Sequence, residues 1–299
     1  MESPSGPVLE PFEEVRASSK RRQHEDGDIL KPDYVSNAHE EVKLSYQQND
    51  LSDLQHIWAN WDDDERGSFV KRYGDIALLL QVCIDVNMLR AAAQFWNPAY
   101  RCFTFNQEDL APTVEEYEAL LNIENAQFDR VYCKSTQPPP FKRRLAQILG
   151  VLEPWTKKHI KKKGDSECIS WTSLKEVMGA TVDAKKSQDI YALAIYGMVI
   201  FPKTRGYIEA AVADFFSQLC CNINPASAIL AETIRTLNLA KQTGSGRFIG
   251  CAPLLHLWLI SHLLLVEKRM LYNFLPNFSP ITKVLEKEWP QDKTEEQWV

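Results

Sequence analysis

Apolar residues recur at three- and four-residue intervals along most of the chain, which is the spacing of one buried helix face. The first helix is predicted to start near Asn49 and Asp50. Its apolar face is formed by Leu51, Leu54, Ile57, Trp58 and Trp61. The four acids Asp62 to Glu65 are predicted to begin a second helix, because carboxylates favour helix N-termini. Their side chains point in different directions, which favours a solvated helix start over a Mg²⁺ site.

The same periodicity predicts a series of helices in the second half of the chain. They are expected at about 141–149, 154–162, 171–179, 187–201, 207–220, 226–241, 251–266 and 268–274. The segment from Ile190 to Ile200 is apolar on almost every side, which is typical of a central buried helix. Pro225 suits a first helical turn and Gly244 a helix stop, while Gln137 to Pro140 predicts a stiff connection.

Between these helical regions, the pattern predicts a helix end followed by a short extended piece. Asn97-Pro98 ends the helix, because the residue before proline avoids helical backbone angles. Cys102 to Phe105 alternates as a strand does, with Phe103 and Phe105 on one face. We therefore expect a strand or hairpin packed by its aromatic side chains.

A new helix is predicted directly after this strand. Pro112 precedes Thr113, and Glu116 follows three residues later, which is the spacing of a capping box. In that motif the Thr113 hydroxyl accepts the Glu116 amide, and the Glu116 carboxylate accepts the Thr113 amide. The buried face of this helix is predicted to comprise Val114, Tyr117, Leu120 and Leu121.

These elements predict a mainly α, multi-helix globular domain over residues 46–275, with a short β-hairpin or strand pair near residues 100–110. Residues 1–45 are polar and acidic with little apolar periodicity, so they are expected to form a disordered tail. Residues 276–299 are loosely patterned and are expected to form a less ordered C-terminal segment.

Three blocks of sequence resemble the plant mobile domain. The first comprises Trp96-Asn-Pro98, Phe103-Thr-Phe105 and Asp109-Leu-Ala-Pro112-Thr113. The second runs from Tyr191 to Pro202, and the third runs from Arg247 through Gly250 to Trp258. The blocks follow the family's order and cover about residues 73–267, and the likeness is greatest to a branch of uncharacterised, transposon-associated plant proteins.

This resemblance implies a non-catalytic interaction module of a transposon-derived protein. It also implies nuclear roles in genome maintenance and transposon silencing, and protein partners that include phosphoprotein phosphatases. The motif residues Trp96, Pro98, Phe103, Phe105, Pro112, Thr113, Gly250 and Trp258 are then expected to serve packing.

Charge is spread unevenly along a chain whose net charge is −6. Residues 1–66 hold sixteen acids against seven Lys and Arg, whereas residues 134–163 hold nine Lys and Arg against the single acid Glu153. The most basic run contains Lys157, Lys158, Lys161, Lys162 and Lys163. We expect these lysines on the helix 154–162 and its end, where a solvated face, a nuclear import signal and nucleic-acid contact are alternative interpretations. Nucleic-acid binding through residues 142–163 is thus the alternative function.

The remaining composition favours an intracellular protein, and the resemblance to the plant mobile domain together with the import-like lysine run implies the nucleus more than the cytoplasm. Residues 1–20 lack the apolar core of a secretory signal, and the apolar run Leu254 to Val266 is too short to span a bilayer. Seven cysteines without a Cys-x-x-Cys pair fit reduced thiols, and the adjacent Cys220-Cys221 diverge on a helix. We therefore expect no metal site and no membrane contact.

No stretch of the chain has the pattern of catalytic chemistry. Gly244 to Gly250 imitates a dinucleotide fingerprint, but it follows a helix, so a helix–helix turn is favoured. His256 and His262 lie six residues apart, unlike the four-residue spacing of a zinc helix, and no Gly-x-Ser-x-Gly elbow occurs. We expect no cofactor and no enzyme activity, with a hydrolase built from scattered residues as the remaining enzymatic alternative.

Overall fold

A computed structural model describes residues 41–105, 108–123, 139–219, 223–266 and 269–272, together with Tyr132, Ile281 and Thr294. The described part is mainly α-helical, as predicted. Its helices are α1 Ser52–Asn60, α2 Asp63–Tyr73, α3 Val86–Gln94, α4 Val114–Leu120, α5 Phe141–Leu149, α6 Glu153–His159, α7 Trp171–Ala180, α8 Ala184–Ile195, α9 Ala210–Leu219, α10 Pro225–Thr243 and α11 Ala252–His262. A 3₁₀ segment, Gly74–Gln81, follows α2, and a π-helical turn, Tyr196–Ile200, continues α8.

Short strands lie between the helices of the described residues. They are β1 Lys43–Ser45, β2 Trp96–Asn97, β3 Cys102–Phe105, β4 Glu108–Leu110, β5 Ile160–Lys163, β6 Ser166–Ser170, β7 Tyr207–Glu209, β8 Ser245–Arg247, β9 Leu263–Val266 and β10 Arg269–Tyr272. β2-β3-β4 and β5-β6-β7 form antiparallel sheets, β9 and β10 an antiparallel pair, and β1 and β8 a parallel pair.

The hairpin predicted near residues 100–110 is confirmed. β3 pairs with β4, with Phe103 opposite Leu110, and its other edge pairs with β2, with Trp96 opposite Phe103. The helix that precedes this sheet ends at Gln94, shortly before Asn97-Pro98 as expected. Trp96 therefore lies on a strand and contributes to the sheet.

The centre of the core is α8, in agreement with its apolar sequence. Residues Ile190 to Ile195 have no exposed surface, and the π-helical turn after them is also buried. Gly197 in that turn packs so closely on Ile208 of β7 that an added methyl group would overlap the isoleucine side chain. A glycine is needed here because of this close approach.

The local helix signals predicted from sequence are present. Thr113 and Glu116 form the capping box of α4, and Asp62 and Glu65 form one at α2. Pro225 opens α10, and Gly244 ends it in the left-handed region with φ 70°.

Four helix predictions in the second half are wrong in part. The helix predicted at 154–162 ends at His159, where the chain becomes β5. The helix predicted at 207–220 begins as β7, the one at 251–266 ends as β9, and the one at 268–274 is the strand β10. Short runs of this kind are compatible with a helix or a strand, and here pairing with a neighbouring strand makes them strands.

The folded region begins before residue 46. Val42 and Leu44 of the predicted tail are buried, and the Gln94 amide brackets Val42, accepting from its N–H at 3.0 Å and donating to its carbonyl oxygen at 2.9 Å. β1 pairs with β8, so the predicted helix–helix turn at Gly244 to Gly250 contains a strand. Residues 1–40, Lys134, Gln137-Pro138, Cys220-Cys221 and most of 276–299 lie outside the described residues.

Candidate functional site

The resemblance motif residues converge from three distant blocks of sequence. Trp96 and Phe103 meet edge to face with ring centroids 4.9 Å apart, and Phe103 stacks on Trp258 at 5.8 Å. All three side chains are buried. Glu116 joins these rings, because its carboxylate accepts a 2.9 Å hydrogen bond from the Trp258 indole N–H. We call Trp96, Phe103, Trp258 and Glu116 the motif cluster.

The polar edges of the motif cluster are satisfied inside the fold. The Trp96 indole N–H donates to Asn238 Oδ1 at 2.7 Å, and His262 Nε2 lies 2.9 Å from Glu116 Oε1. Burial acts to raise the pKa of Glu116, but hydrogen bonds from His262, the Thr113 N–H and Trp258 outweigh it and hold this pKa below its usual range. Glu116 therefore acts as an ionised, half-buried connector between α4 and α11.

The other motif residues also lie in packing contacts. Pro98 and Pro112 are buried, and the ring of Phe105 lies 5.1 Å from that of Phe95. Gly250 is so close to Thr233 that an added Cβ would lie 3.1 Å from its Cα atom. These positions shape the core rather than a cavity.

The basic run does not form the single helix predicted for it. Lys157 and Lys158 are exposed on α6, whereas Lys161, Lys162 and Lys163 are exposed on β5, the edge strand of its sheet. The predicted stack between Trp155 and His159 is present, with ring centroids 3.9 Å apart. The strand divides the three lysines between two faces, because successive side chains alternate.

Lys161 and Lys163 share a sheet face with Tyr207. The Lys163 ammonium lies 4.9 Å from the Tyr207 ring centroid, and Lys161 is paired across the sheet with Cys168. Lys162 lies on the opposite face, in register with Glu167.

Two further cations extend this face and were not predicted from sequence. Lys203 Nζ lies 3.4 Å from Ser166 Oγ, and Ser166 is the residue paired with Lys163 across the sheet. The Arg247 guanidinium donates to the Lys203 carbonyl oxygen. We call Lys161, Lys163, Lys203 and Arg247 the basic strip. Its last two members are single charges far along the chain, so no local pattern marks them.

A cleft with a volume of about 570 Å³ adjoins the basic strip, between α9 and α10. Its apolar floor includes Phe201, Val212, Phe215 and Ile249. Its α10 wall is formed by Ala228, Ala231, Glu232 and Arg235, which share one helix face at positions i, i+3, i+4 and i+7. This spacing is a signal that sequence reasoning missed.

The charged groups at the cleft mouth form two ion pairs with the cations outermost. Lys203 Nζ lies 3.0 Å from Glu209 Oε2, and their side chains are 56% and 7% exposed. Arg235 pairs with Glu232, and their side chains are 52% and 25% exposed. The acids are thus engaged underneath, while the cations face solvent.

The described lining of the cleft is apolar apart from Tyr132 and the two ion pairs. The described residues that line it include no Ser, Cys or His, so they provide no serine hydroxyl, thiol or imidazole. Within the described residues, no three His, Cys, Asp or Glu side chains form a group that could hold a metal ion.

Among the described residues, His256 and His262 contact different partners and do not form one site. His256 Nε2 accepts the Asp85 N–H at 3.4 Å, while His262 contacts Glu116. Burial lowers the pKa of His256 to about 4, even though the nearby Asp85 acts to raise it. Burial raises the pKa of the Cys251 thiol to about 12, which makes it a poor nucleophile.

Among the described residues, no single helix is long and apolar enough to cross a membrane. One pair, Asp63–Gln81 and Val86–Gln94, has the required length and composition together, but it bends by 102° at its break.

Comparison with known proteins assigns a family. A family model described as a domain of unknown function, DUF7745, matches residues 54–294, and the chain belongs to that family. No curated protein and no solved structure matches the chain. The match leaves the resemblance to the plant mobile domain untested, so that resemblance stays a prediction.

Proposed function

We propose that this member of the DUF7745 family is a non-catalytic interaction module that holds a protein partner in the cleft between α9 and α10. One observation carries the proposal: an apolar floor lies beneath a mouth whose cations, Lys203 and Arg235, are more exposed than the acids they pair with. Interfaces combine an apolar centre with a polar rim in the same way.

The absence of a catalytic role is part of the proposal and rests on how the polar groups are used. Glu116 and His262 engage each other inside the motif cluster, and Glu209 and Glu232 engage cations at the cleft. These four acids and bases thus each have a structural partner.

The cellular setting of this proposal follows from the resemblance to the plant mobile domain. It places the module in the nucleus, in a transposon-derived protein that acts in genome maintenance or transposon silencing. A phosphoprotein phosphatase is the partner class that the resemblance suggests first.

The proposal is tested by purifying the tagged full chain from plant nuclei after nuclease treatment. We expect a specific protein to be recovered, to be identified by mass spectrometry, and to form a stoichiometric complex again when both proteins are purified and mixed in a calorimeter. A chain that turns over substrates in a hydrolase panel, or whose partners all vanish with nuclease, would contradict the proposal.

A second candidate function is nucleic-acid binding through residues 142–163. It is favoured by the placement of Lys161 and Lys163 on an open edge strand, beside Lys203 from another part of the chain. Lysines that contact phosphates release counterions, so such binding weakens steeply with salt.

Substitution of the three strand lysines tests this second function. The Lys161/Lys162/Lys163→Ala variant is expected to lose salt-dependent affinity for a duplex or single-stranded oligonucleotide. A control variant, Lys43/Lys71/Lys185→Ala, removes the same charge from exposed positions elsewhere and should retain most of the affinity. If both variants lose the same amount of oligonucleotide affinity, the effect comes from net charge and β5 is not a specific nucleic-acid site.

A further inference from the structure

We infer that the cleft binds an extended acidic peptide, which inserts an apolar side chain against the floor and places carboxylates along the rim and the basic strip. This inference rests on the proposed function, because it specifies the partner chemistry at the same site. The size of the cleft, the order of its charges and the direction of the basic strip support it independently.

The floor and volume suit an apolar anchor. Ala228 and Ala231 are small residues on the exposed or half-exposed face of α10, so the space opposite Phe215 and Val212 stays open. A volume of about 570 Å³ lies in the usual range for pockets that hold compact apolar groups. A leucine or phenylalanine of the partner would bury its surface there.

The charges at the mouth select an anionic partner. The side chain of Lys203 is 56% exposed and that of Glu209 is 7% exposed, so an approaching group meets the ammonium first. Arg235 presents its guanidinium in the same way, above Glu232. A carboxylate can therefore share either cation without displacing the acid beneath it.

The basic strip indicates an extended occupant rather than a small one. From the mouth, Lys203 lies against Ser166, and Lys163 is the register partner of Ser166 on the edge strand β5. Cations thus continue from the cleft mouth onto the edge strand β5. A peptide can place single carboxylates near them, whereas a phosphate at every nucleotide would also bring negative charge over Glu209 and Glu232.

The inference is tested by fluorescence anisotropy with the full chain and a labelled synthetic peptide that alternates Asp or Glu with Leu or Phe. We expect saturable binding that weakens about tenfold when salt rises from roughly 50 to 500 mM, because exposed charge pairs are screened. A peptide with Lys in place of the acids, and one with Ser in place of the apolar residues, should both bind at least about tenfold more weakly.

Substitutions on α10 locate the binding. Ala231→Trp fills the cleft from an exposed position and should weaken peptide binding at least about tenfold. Leu239→Trp is the matched control, since Leu239 is 48% exposed on the same helix and does not line the cleft. Arg235→Gln and Lys163→Gln should each reduce the salt dependence, whereas Lys71→Gln should leave it unchanged. Circular dichroism and urea titration establish that each variant folds.

Several results would overturn the inference. The first is that Ala231→Trp binds the peptide as tightly as the unsubstituted chain does. The second is that salt leaves peptide binding unchanged. The third is that a single-stranded oligonucleotide displaces the peptide at a similar concentration. The last result would assign the cleft to nucleic acid. If Ala231→Trp still retains the nuclease-resistant partner, the cleft is not the binding site, while a non-catalytic interaction through another surface stands.

Discussion

The motif cluster and the cleft both combine aromatic rings with charged groups, but they arrange them in opposite ways. In the motif cluster, the Trp96 and Trp258 indoles donate inward, to Asn238 and Glu116. At the cleft, the cationic ends of Lys203 and Arg235 face solvent. The residues most recognisable in the sequence therefore lie in the packed core, whereas the residues proposed to meet a partner carry no motif of their own.

The largest expected effect is on the motif cluster, and a half-buried tryptophan outside it serves as the reference. Trp258→Ala should lower the free energy of unfolding by about 4 kcal/mol, because it leaves a large cavity in the motif cluster. Trp155→Ala, beside the basic run, should cost about 2 kcal/mol, because the half-buried ring loses its stack on His159 and only part of its packing against the core. Urea denaturation measures both, and similar losses would contradict the contrast.

The second effect is pH-dependent and arises from His256 on α11. Burial lowers its pKa to about 4 in the folded chain, so between about pH 6.5 and 4 only the unfolded state binds the proton. The free energy of unfolding should therefore fall by about 3 kcal/mol as pH falls through this window. His256→Gln should flatten the profile, whereas His56→Gln, at an exposed position, should leave it unchanged. Urea titrations at a series of pH values provide the measurement.

A smaller effect is expected from the charge of Glu116. Glu116→Gln keeps the size of the side chain but weakens its hydrogen bonds to Trp258 and His262, at a cost of about 1 to 2 kcal/mol at pH 7. Folding lowers the pKa of Glu116, so its contribution is present above the unfolded value of 4.5 and is lost as pH falls through the lower folded value. The difference in the free energy of unfolding between Glu116→Gln and the unsubstituted chain should therefore become smaller at acidic pH.

The neighbouring acid supplies the control for this measurement. Glu115 is exposed in the same helical turn, so Glu115→Gln should change the free energy of unfolding by less than about 0.5 kcal/mol. A Glu116→Gln penalty that stays constant down to the lowest pH would indicate that lost packing, and not lost charge, is responsible.

The smallest effect on stability is expected from the exposed lysines of β5. Lys161/Lys162/Lys163→Ala should change the free energy of unfolding by less than about 1 kcal/mol, since only Lys163 has a ring contact to lose. The same urea titration measures it. A larger loss would mean that these lysines stabilise the sheet, and it would weaken any reading of binding data for this variant.

Local signals account for the parts of the fold that the sequence predicted well. The capping box of Thr113 and Glu116, the first-turn Pro225 and the stop at Gly244 each depend on backbone within one helical turn. The burial of α8 was equally predictable, because a helix that is apolar on every side has no polar face to turn toward water.

The basic run shows where local reasoning failed. Ile160 to Lys163 has no period that separates helix from strand, and it became β5 by pairing with β6, which in turn pairs with β7. Burial of Ile169 and Ile208 in that sheet fixes which face looks outward. The β6–β7 contacts join Ile169 to Ile208, far apart in the chain and beyond the reach of helical periodicity, whereas β5 and β6 are joined by the short turn Gly164-Asp165.

The sequence by itself determined the helical class, the helix caps and the identity of the packed aromatic residues, because these depend on near neighbours and on hydrophobic periodicity. Only the tertiary structure decided the cleft and the basic strip. Lys203 lies in the loop before β7, Arg235 on α10 and Arg247 on β8, and tertiary packing brings them to one side of the molecule. The arrangement of these cations is set by long-range packing, which no local pattern encodes.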